Sequence, residues 1–305
     1  MTRQARVAII GANGMLASKL LQRAPEAIDL YLFDLPELDI TDAAQVDVVL
    51  GALQPEVIIN CAAFTQVDNC EIQRDRAFAV NGEGPAHLAS SAKKIGAVLV
   101  HISTDFVFSG EATAPYHEDA ATEPLSVYGA SKLQGEIAIA NSELEEYFII
   151  RTSWLYGPNG PNFVETIIRL AAEREELGIV SDQTGTPTYT GDLADAIWKL
   201  ISPITHHLAP PTAPYGIYHY SNTGMCSWYE FASEIVTQLR AKKVSLKVKQ
   251  VSPIATDEYP LPAKRPAYSV LSKDKIMAIV GDTIPPWQES LKKYLEERCL
   301  NPDQI

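Results

Sequence analysis

Val7-Ala8-Ile9-Ile10-Gly11-Ala12-Asn13-Gly14-Met15-Leu16-Ala17 is the stretch that decides the fold. Four consecutive apolar residues with no polar alternation read as a strand buried on both faces. Gly11 follows at once and permits a tight turn. Gly14 lets the backbone amides at a helix start approach a pyrophosphate, where the helix dipole favours negative charge. The helix is expected over Met15–Gln22, and Ala17 is small enough for close helix–strand packing. About twenty residues beyond Gly14, the next strand, Leu30–Phe33, ends in Asp34, a carboxylate placed to accept hydrogen bonds from an adenosine ribose.

The alternation begun here continues down the chain. Strands are expected at Val57–Asn60, Ala97–Ile102 and Phe148–Arg151, and helices at Ala43–Leu53, Arg76–Ile95 and Val127–Asn141. Continuous apolar, β-branched runs separated by amphipathic helices predict a parallel sheet covered on both faces, an α/β fold of the Rossmann-type doubly wound class. Thr41 or Asp42 is placed to cap the second of these helices and Ser126 the last.

After Arg151 the pattern loosens. A helix near Phe163–Glu175, a short strand at Ile179–Val180 and a loop over Gln183–Thr188 come first. A helix from Asp192 to Ile201 and a strand at Ile217–Tyr220 are expected to return to the sheet, with Pro203–Pro214 a surface loop between them. The helix Trp228–Arg240, strand Leu246–Val251, helix Lys273–Ile279 and helix Pro286–Glu297 complete a smaller C-terminal α/β domain. The expected division is therefore a dinucleotide-binding domain of residues 1–151, with about 190–222 returning to it. Residues of about 152–189 and 223–305 form a substrate-binding domain over the crevice at the strands' carboxyl ends.

Composition narrows the partners. With 305 residues and 46% hydrophobic content the chain can bury a large core. A net charge of −13 disfavours nucleic acid and anionic membranes as partners. No apolar run approaches the ~18 residues that a membrane helix needs, and the first one is broken by Gly11–Gly14, unlike a signal peptide. Cys61, Cys70, Cys226 and Cys299 show no C-x-x-C pairing, so reduced thiols and a cytoplasmic location are expected. The six histidines, His206-His207 among them, show no metal-ligand spacing, and no metal site is expected.

Tyr128-Gly129-Ala130-Ser131-Lys132 carries the chemistry. A tyrosine and a lysine at i and i+4 share a helix face, roughly 6 Å apart at their β-carbons. A free phenol titrates near ~10, and an ammonium one turn away is expected to lower that value toward the working range. Ser103 and Thr104, just upstream, offer hydroxyls to hold a substrate oxygen beside the tyrosine. Together these form the proton-handling half of a carbonyl reduction or alcohol oxidation.

With both halves placed, the chain resembles the extended short-chain dehydrogenase/reductases and, more narrowly, the dTDP-4-dehydrorhamnose reductase family. The resemblance rests on Leu38–Asp42, Pro55–Thr65, Ser103–Phe108, Tyr128–Lys132, Arg151-Thr152-Ser153-Trp154-Leu155-Tyr156-Gly157 and Arg265-Pro266, and covers nearly the whole chain. It implies that Gly11, Gly14, Met15, Leu16 and Asp34 hold the pyrophosphate and ribose of NADH or NADPH. Asp39 and Ile40 would flank the adenine, and Ala62, Ala63, Thr65 and Ile102 the path to the nicotinamide. Lys132 would hold the nicotinamide ribose and tune Tyr128, the proton donor, with Thr104 as the third catalytic group. Thr104, Asp105, Trp154 and Arg265 would contact a nucleotide-linked keto-sugar. The implied reaction is reduction of the C4 keto group of dTDP-4-dehydro-6-deoxy-L-mannose to dTDP-L-rhamnose, by a monomer or homodimer.

Several of these residues have a second reading. Asp105 can cap the next loop, and Trp154 can fill the core. Ala62 and Ala63 can be small for packing alone. Asn81 can support the lysine or pack a helix, and Arg265 can clamp a diphosphate or pair with Asp257 or Glu258. Tyr268 stands where the family carries an asparagine. No arginine follows Asp34 in Leu35-Pro36-Glu37 to neutralise a 2′-phosphate, so NADH is expected to serve at least as well as NADPH. Two other functions fit the same motifs: reduction of another nucleotide-linked 4-keto sugar, and a non-catalytic NADP-binding subunit like the regulator of methionine adenosyltransferase. A dehydratase would need an acidic pair after the threonine, and Asp105 is followed by Phe106.

Overall fold

Apolar residues on both faces of every central strand shape the architecture. In a computed structural model, which describes residues 4–206, 214–281 and 284–300, Val7 and Ile9 enter one core cluster while Ala8 and Ile10 enter another. The same division separates Val57 and Ile59 from Ile58, Val98 and Val100 from Leu99, and Phe148 and Ile150 from Ile149. Successive side chains of a strand point to opposite faces, so these runs bury both faces at once.

The elements of the first half are β1 (Ala5–Ile10), α1 (Met15–Gln22), β2 (Ile28–Phe33), α2 (Ala43–Leu53), β3 (Val57–Asn60), α3 (Val67–Ile72), α4 (Arg74–Phe78), α5 (Gly84–Ile95), β4 (Val98–Thr104), α6 (Val127–Ala140) and β5 (Tyr147–Thr152). The second half has β6 (Leu155–Tyr156), α7 (Phe163–Glu173), β7 (Glu176–Val180), β8 (Thr184–Gly185), β9 (Thr188–Tyr189), α8 (Thr190–Thr205), β10 (Gly216–Tyr220), β11 (Cys226–Ser227), α9 (Trp228–Ala241), β12 (Gln250–Ile254), α10 (Asp274–Val280) and α11 (Trp287–Leu300). Six strands form one parallel sheet in the order β10-β5-β4-β3-β1-β2. Helices α1 and α8 cover one face, and α2, α5 and α6 the other, giving a Rossmann-type doubly wound fold. The strand order reverses between β1 and β3, and the crevice outside that point is where such sheets bind ligands.

A second core gathers Tyr156, Val164, Ile167, Phe231, Ile235 and Leu291, drawn from β6, α7, α9 and α11. Short ladders knit this smaller unit together: β7 with β12, β8 with β11 and β6 with β9. Helix α10 differs from expectation, because Ile276 and Val280 pack in the large sheet's core.

Other expectations were displaced for identifiable reasons. The single helix Arg76–Ile95 is instead α4, a π-helical turn over Ala79–Glu83, and α5. Pro85 has no amide to give the Asn81 carbonyl, and its ring excludes regular α geometry one turn back. The freed carbonyl lies against Gly135 of α6, where a Cβ would come within 2.3 Å of it. The strand expected at Leu246–Val251 forms at Gln250–Ile254. Leu246 and Val248 are indeed packed into the second core, but β7 offers its edge only opposite Gln250–Ile254. Pro203 sits inside α8 rather than opening a loop; His207, Pro210 and Pro211 lie outside the described residues. Asp42 caps α2 through the amides of Ala44 and Gln45.

Candidate active site

The turn after β1 is held from two sides. Gly11 and Ala12 donate their amides to the carbonyl of Phe33, at 2.9 and 3.0 Å, tying the turn to the end of β2. Gly11 has φ 79°, and a Cβ there would lie 2.6 Å from the Ala62 nitrogen, so glycine is required twice over. Gly14 is the N-cap of α1 and supplies no side-chain cap, leaving this helix start suited to an anionic ligand. Asp34 accepts from the amides of Asn13 and Leu35, both at 2.8 Å. These bonds aim the carboxylate at the turn. A groove of about 260 Å³ here is lined by Gly11, Gly14, Asp34, Asp39, Ile40, Ala62 and Ala63. The bare glycine cradle and the fixed acid fit a dinucleotide. Asp39 turns its own carboxylate to the amide and hydroxyl of Thr41.

Arg76 also lines this groove, its guanidinium 4.8 Å from the Phe64 ring centre. It lies far from Asp34 in sequence, and α4 delivers it to the groove. A cation therefore stands in the groove to offset Asp34 against a 2′-phosphate.

The groove adjoins a cleft of about 1140 Å³ lined by Gly14, Met15, Leu16, Ala63, Thr65, Ile102, Thr104, Asp105, Tyr128, Lys132, Trp154 and Arg265, among others. Every residue expected to touch cofactor or substrate lines one of these two hollows; Asn81 and Tyr268 line neither. Helix α6 starts beside the cleft because Ser126 accepts from the Gly129 amide at 3.2 Å and Glu71 accepts from the Val127 amide at 2.8 Å. Gly129 lets this first turn press on the Phe106 carbonyl, which a Cβ would meet at 2.2 Å. Tyr128 thereby reaches Thr104, with which it hydrogen-bonds. The Thr104 hydroxyl donates to Asp105 Oδ1 at 3.0 Å and accepts from the Phe106 amide at 3.2 Å. Phenol, hydroxyl and carboxylate thus lie in line along the cleft wall.

The electrostatics of this chain depart from the sequence expectation. Tyr128 keeps an edge in the cleft, yet protein surrounds its ring and burial pushes the phenol above its ordinary value, with Asp105 and Cys70 adding to the rise. Lys132 is not aimed at the phenol: its Nζ donates to the Ile102 carbonyl at 2.6 Å and lies 3.1 Å from His101 Nε2. Burial brings the lysine down to about 8. Proximity on a helix face thus did not translate into a lowered tyrosine. Asp105 is 1% exposed; burial pushes its carboxyl up to about 6 despite hydrogen bonds from Ser269 and Thr104. Its Oδ2 has no hydrogen-bond partner.

Three other assignments change. Ser103 gives its hydroxyl to Glu136, which is locked to Arg151 in a buried pair at 2.7 Å, so it is committed to the core. Asn81 bonds the backbone of Phe64 and the Ser131 hydroxyl, bracing the cleft wall without touching Lys132. Arg265 pairs with neither Asp257 nor Glu258; both its terminal nitrogens meet Asp68. The pair holds the Asp68 carboxyl below its ordinary value. Trp154, at φ 46°, stacks on Trp228 with ring centres 3.5 Å apart and both line the cleft, so packing and lining roles coexist. Tyr268 lies beside Tyr116 with ring centres 6.3 Å apart. Asp68 and Trp228 were missed because only the fold brings them to Arg265 and Trp154. Among the described residues no group of three His, Cys, Asp or Glu is arranged to hold a metal, and no helix is long and apolar enough to cross a membrane.

Comparison with known proteins shows the family and the fold. A family model described as RmlD substrate binding domain matches residues 5–299. The chain is 43% identical over 296 residues to the spore coat polysaccharide biosynthesis protein SpsK of Bacillus subtilis, covering 96% of this chain and 98% of that protein. It is 39% identical over 290 residues to the dTDP-4-dehydrorhamnose reductase of Aggregatibacter actinomycetemcomitans, covering 94% and 97%. A crystal structure of dTDP-4-dehydrorhamnose reductase from Bacillus anthracis in complex with NADP superposes with a TM-score of 0.86 at 42% identity, over 96% of this chain and 99% of that one.

Proposed function

The chain belongs to the RmlD substrate binding domain family, and we infer from that premise that it is the NAD(P)H-dependent reductase that converts dTDP-4-dehydro-6-deoxy-L-mannose to dTDP-L-rhamnose. The observation that carries the reading is the Tyr128–Thr104–Asp105 chain opening into the cleft that adjoins the Gly11–Gly14 turn. When bound, the reduced nicotinamide supplies the hydride. Gly11, Gly14, Met15, Leu16 and Asp34 hold its pyrophosphate and ribose, Asp39 and Ile40 its adenine side, and Ala62, Ala63, Thr65, Ile102 and Lys132 the path inward. Tyr128 delivers the proton that the reduced oxygen takes up. Its pKa, raised by burial, keeps that proton in place until negative charge develops on the oxygen. Thr104 and Asp105 fix the phenol's direction, while Trp154 and Arg265 line the sugar-nucleotide side.

In this reading residues 1–151 and about 190–222 form the cofactor domain, and the remainder the substrate domain. The protein works in the cytoplasm as a monomer or homodimer on a small nucleotide-sugar. The test supplies dTDP-4-dehydrorhamnose made by an upstream dehydratase and epimerase, and follows loss of nicotinamide absorbance. A folded preparation that binds cofactor and never oxidises it with this sugar overturns the reading. Turnover of a different nucleotide-linked 4-keto sugar would then favour the neighbouring reductase activity. No turnover with any of them would favour a regulatory subunit, a role that leaves the Tyr128–Thr104 arrangement without a purpose.

A further inference from the structure

His101, in the middle of β4, is fully buried between β3 and α6. Its Nδ1 lies 3.0 Å from Asn60 Nδ2, and its Nε2 lies 3.1 Å from Lys132 Nζ. Where its hydrogen sits follows from a third contact. The amide of Ala62 donates to Asn60 Oδ1 at 3.0 Å, which fixes the carboxamide: oxygen toward Ala62, NH₂ toward the imidazole. Nδ1 must then accept and carries no hydrogen. Burial holds the imidazole neutral, so its one hydrogen is on Nε2, pointing at the lysine nitrogen.

An ammonium offers only donors, whereas a neutral amine has one lone pair to accept with. Facing an N–H at 3.1 Å, the amine is satisfied and the ammonium is opposed, while Lys132 still donates to the Ile102 carbonyl in either form. The other groups around Lys132 do not undo this. Burial keeps the Cys61 thiol neutral, the Tyr128 phenol is neutral for the same reason, and the Glu136 carboxylate is taken up by Arg151 and Ser103. We propose that His101 is a positioning residue: held by Asn60 in the Nε2–H tautomer, it favours the amine form of Lys132, whose ammonium would hold the nicotinamide ribose, and so sets the upper pH limit of the reaction. The consequence for rate rests on the reductase reading; the tautomer does not.

Long-range proton–nitrogen NMR of the full chain reads the tautomer directly. His101, identified by the signals that vanish in His101→Gln, is expected with a bare Nδ1 and a protonated Nε2; a protonated Nδ1 at that residue overturns the proposal. Rate against pH supplies the second readout. In His101→Gln an amide oxygen is available to accept from the ammonium, and in Asn60→Asp a carboxylate oxygen accepts from Nδ1–H and reverses the tautomer. Both should move the basic limb of kcat upward by about one pH unit. A basic limb unmoved in both folded variants overturns the proposal, since loss of packing alone lowers the rate without moving its pH dependence. Failure to reduce any keto-sugar would defeat the functional reading, and the NMR result would still decide the tautomer.

Discussion

Arg265 and Asp68 meet fork to fork, each terminal nitrogen of the guanidinium 2.7 Å from its own carboxylate oxygen. The acid belongs to α3 beside the sheet and the arginine to the segment that closes the far side of the cleft. The pair therefore joins the two walls of the site. Arg265→Ala should raise KM for the nucleotide-sugar by roughly tenfold and lower kcat by much less, because binding and not chemistry is lost. Steady-state kinetics with varied sugar separate the two; a kcat loss exceeding the KM change contradicts the clamp.

Tyr128→Phe should lower kcat by roughly 10²–10⁴-fold. Cofactor affinity, followed by fluorescence titration, should barely change, since the phenol's bond is to Thr104. Retention of more than about a tenth of the wild-type rate would remove the tyrosine from its proton-donor role.

The Asp105 carboxyl, at about 6 when folded against an ordinary value of 3.8, binds its proton more tightly in the native state. Its contribution to stability is therefore greatest at low pH and falls as pH rises through the window between those values. Asp105→Asn should raise Tm at pH values above about 6 and have little effect below about 4, with a gain of less than about 3 kcal/mol. Thermal melts across that range check the sign. Turnover should fall, because Thr104 loses a charged acceptor.

Asp34 and Arg76 place opposite charges along one groove. Both nicotinamide cofactors should consequently be used, with kcat/KM within about tenfold of one another. Arg76→Ala should shift the balance toward NADH by roughly three- to tenfold, as one charged contact to a 2′-phosphate is removed. Equal losses with both cofactors would show that Arg76 serves only to stack on Phe64.

Elements with strong local signals were legible. The β1 turn, α1, α2 and β3 match their expected limits because Gly11, Asp42 and the uninterrupted Val57–Asn60 run act over a few residues. What escaped depends on partners distant in sequence. The π-helical turn needs Pro85 read together with Gly135, and β12 takes its limits from β7. Likewise, the Tyr128–Lys132 spacing identified the pair of residues, but where the lysine points is decided by His101 and Ile102 from another element. Arg76, Asp68 and Trp228 reach the hollows only through tertiary packing.

The sheet's last strand, β10, pairs with β5 only after the chain has passed through α7, β7, β9 and α8. During synthesis on the ribosome, β5 leaves the exit tunnel with a bare edge and must wait for its neighbour. Contacts of such wide sequence separation form slowly because the intervening loop must be closed first. The first five strands and their glycine turn can be assembled early, whereas the wall carrying Arg265 arrives last. A nascent or truncated chain that stops before β10 should expose the apolar β5 edge to pairing with other chains.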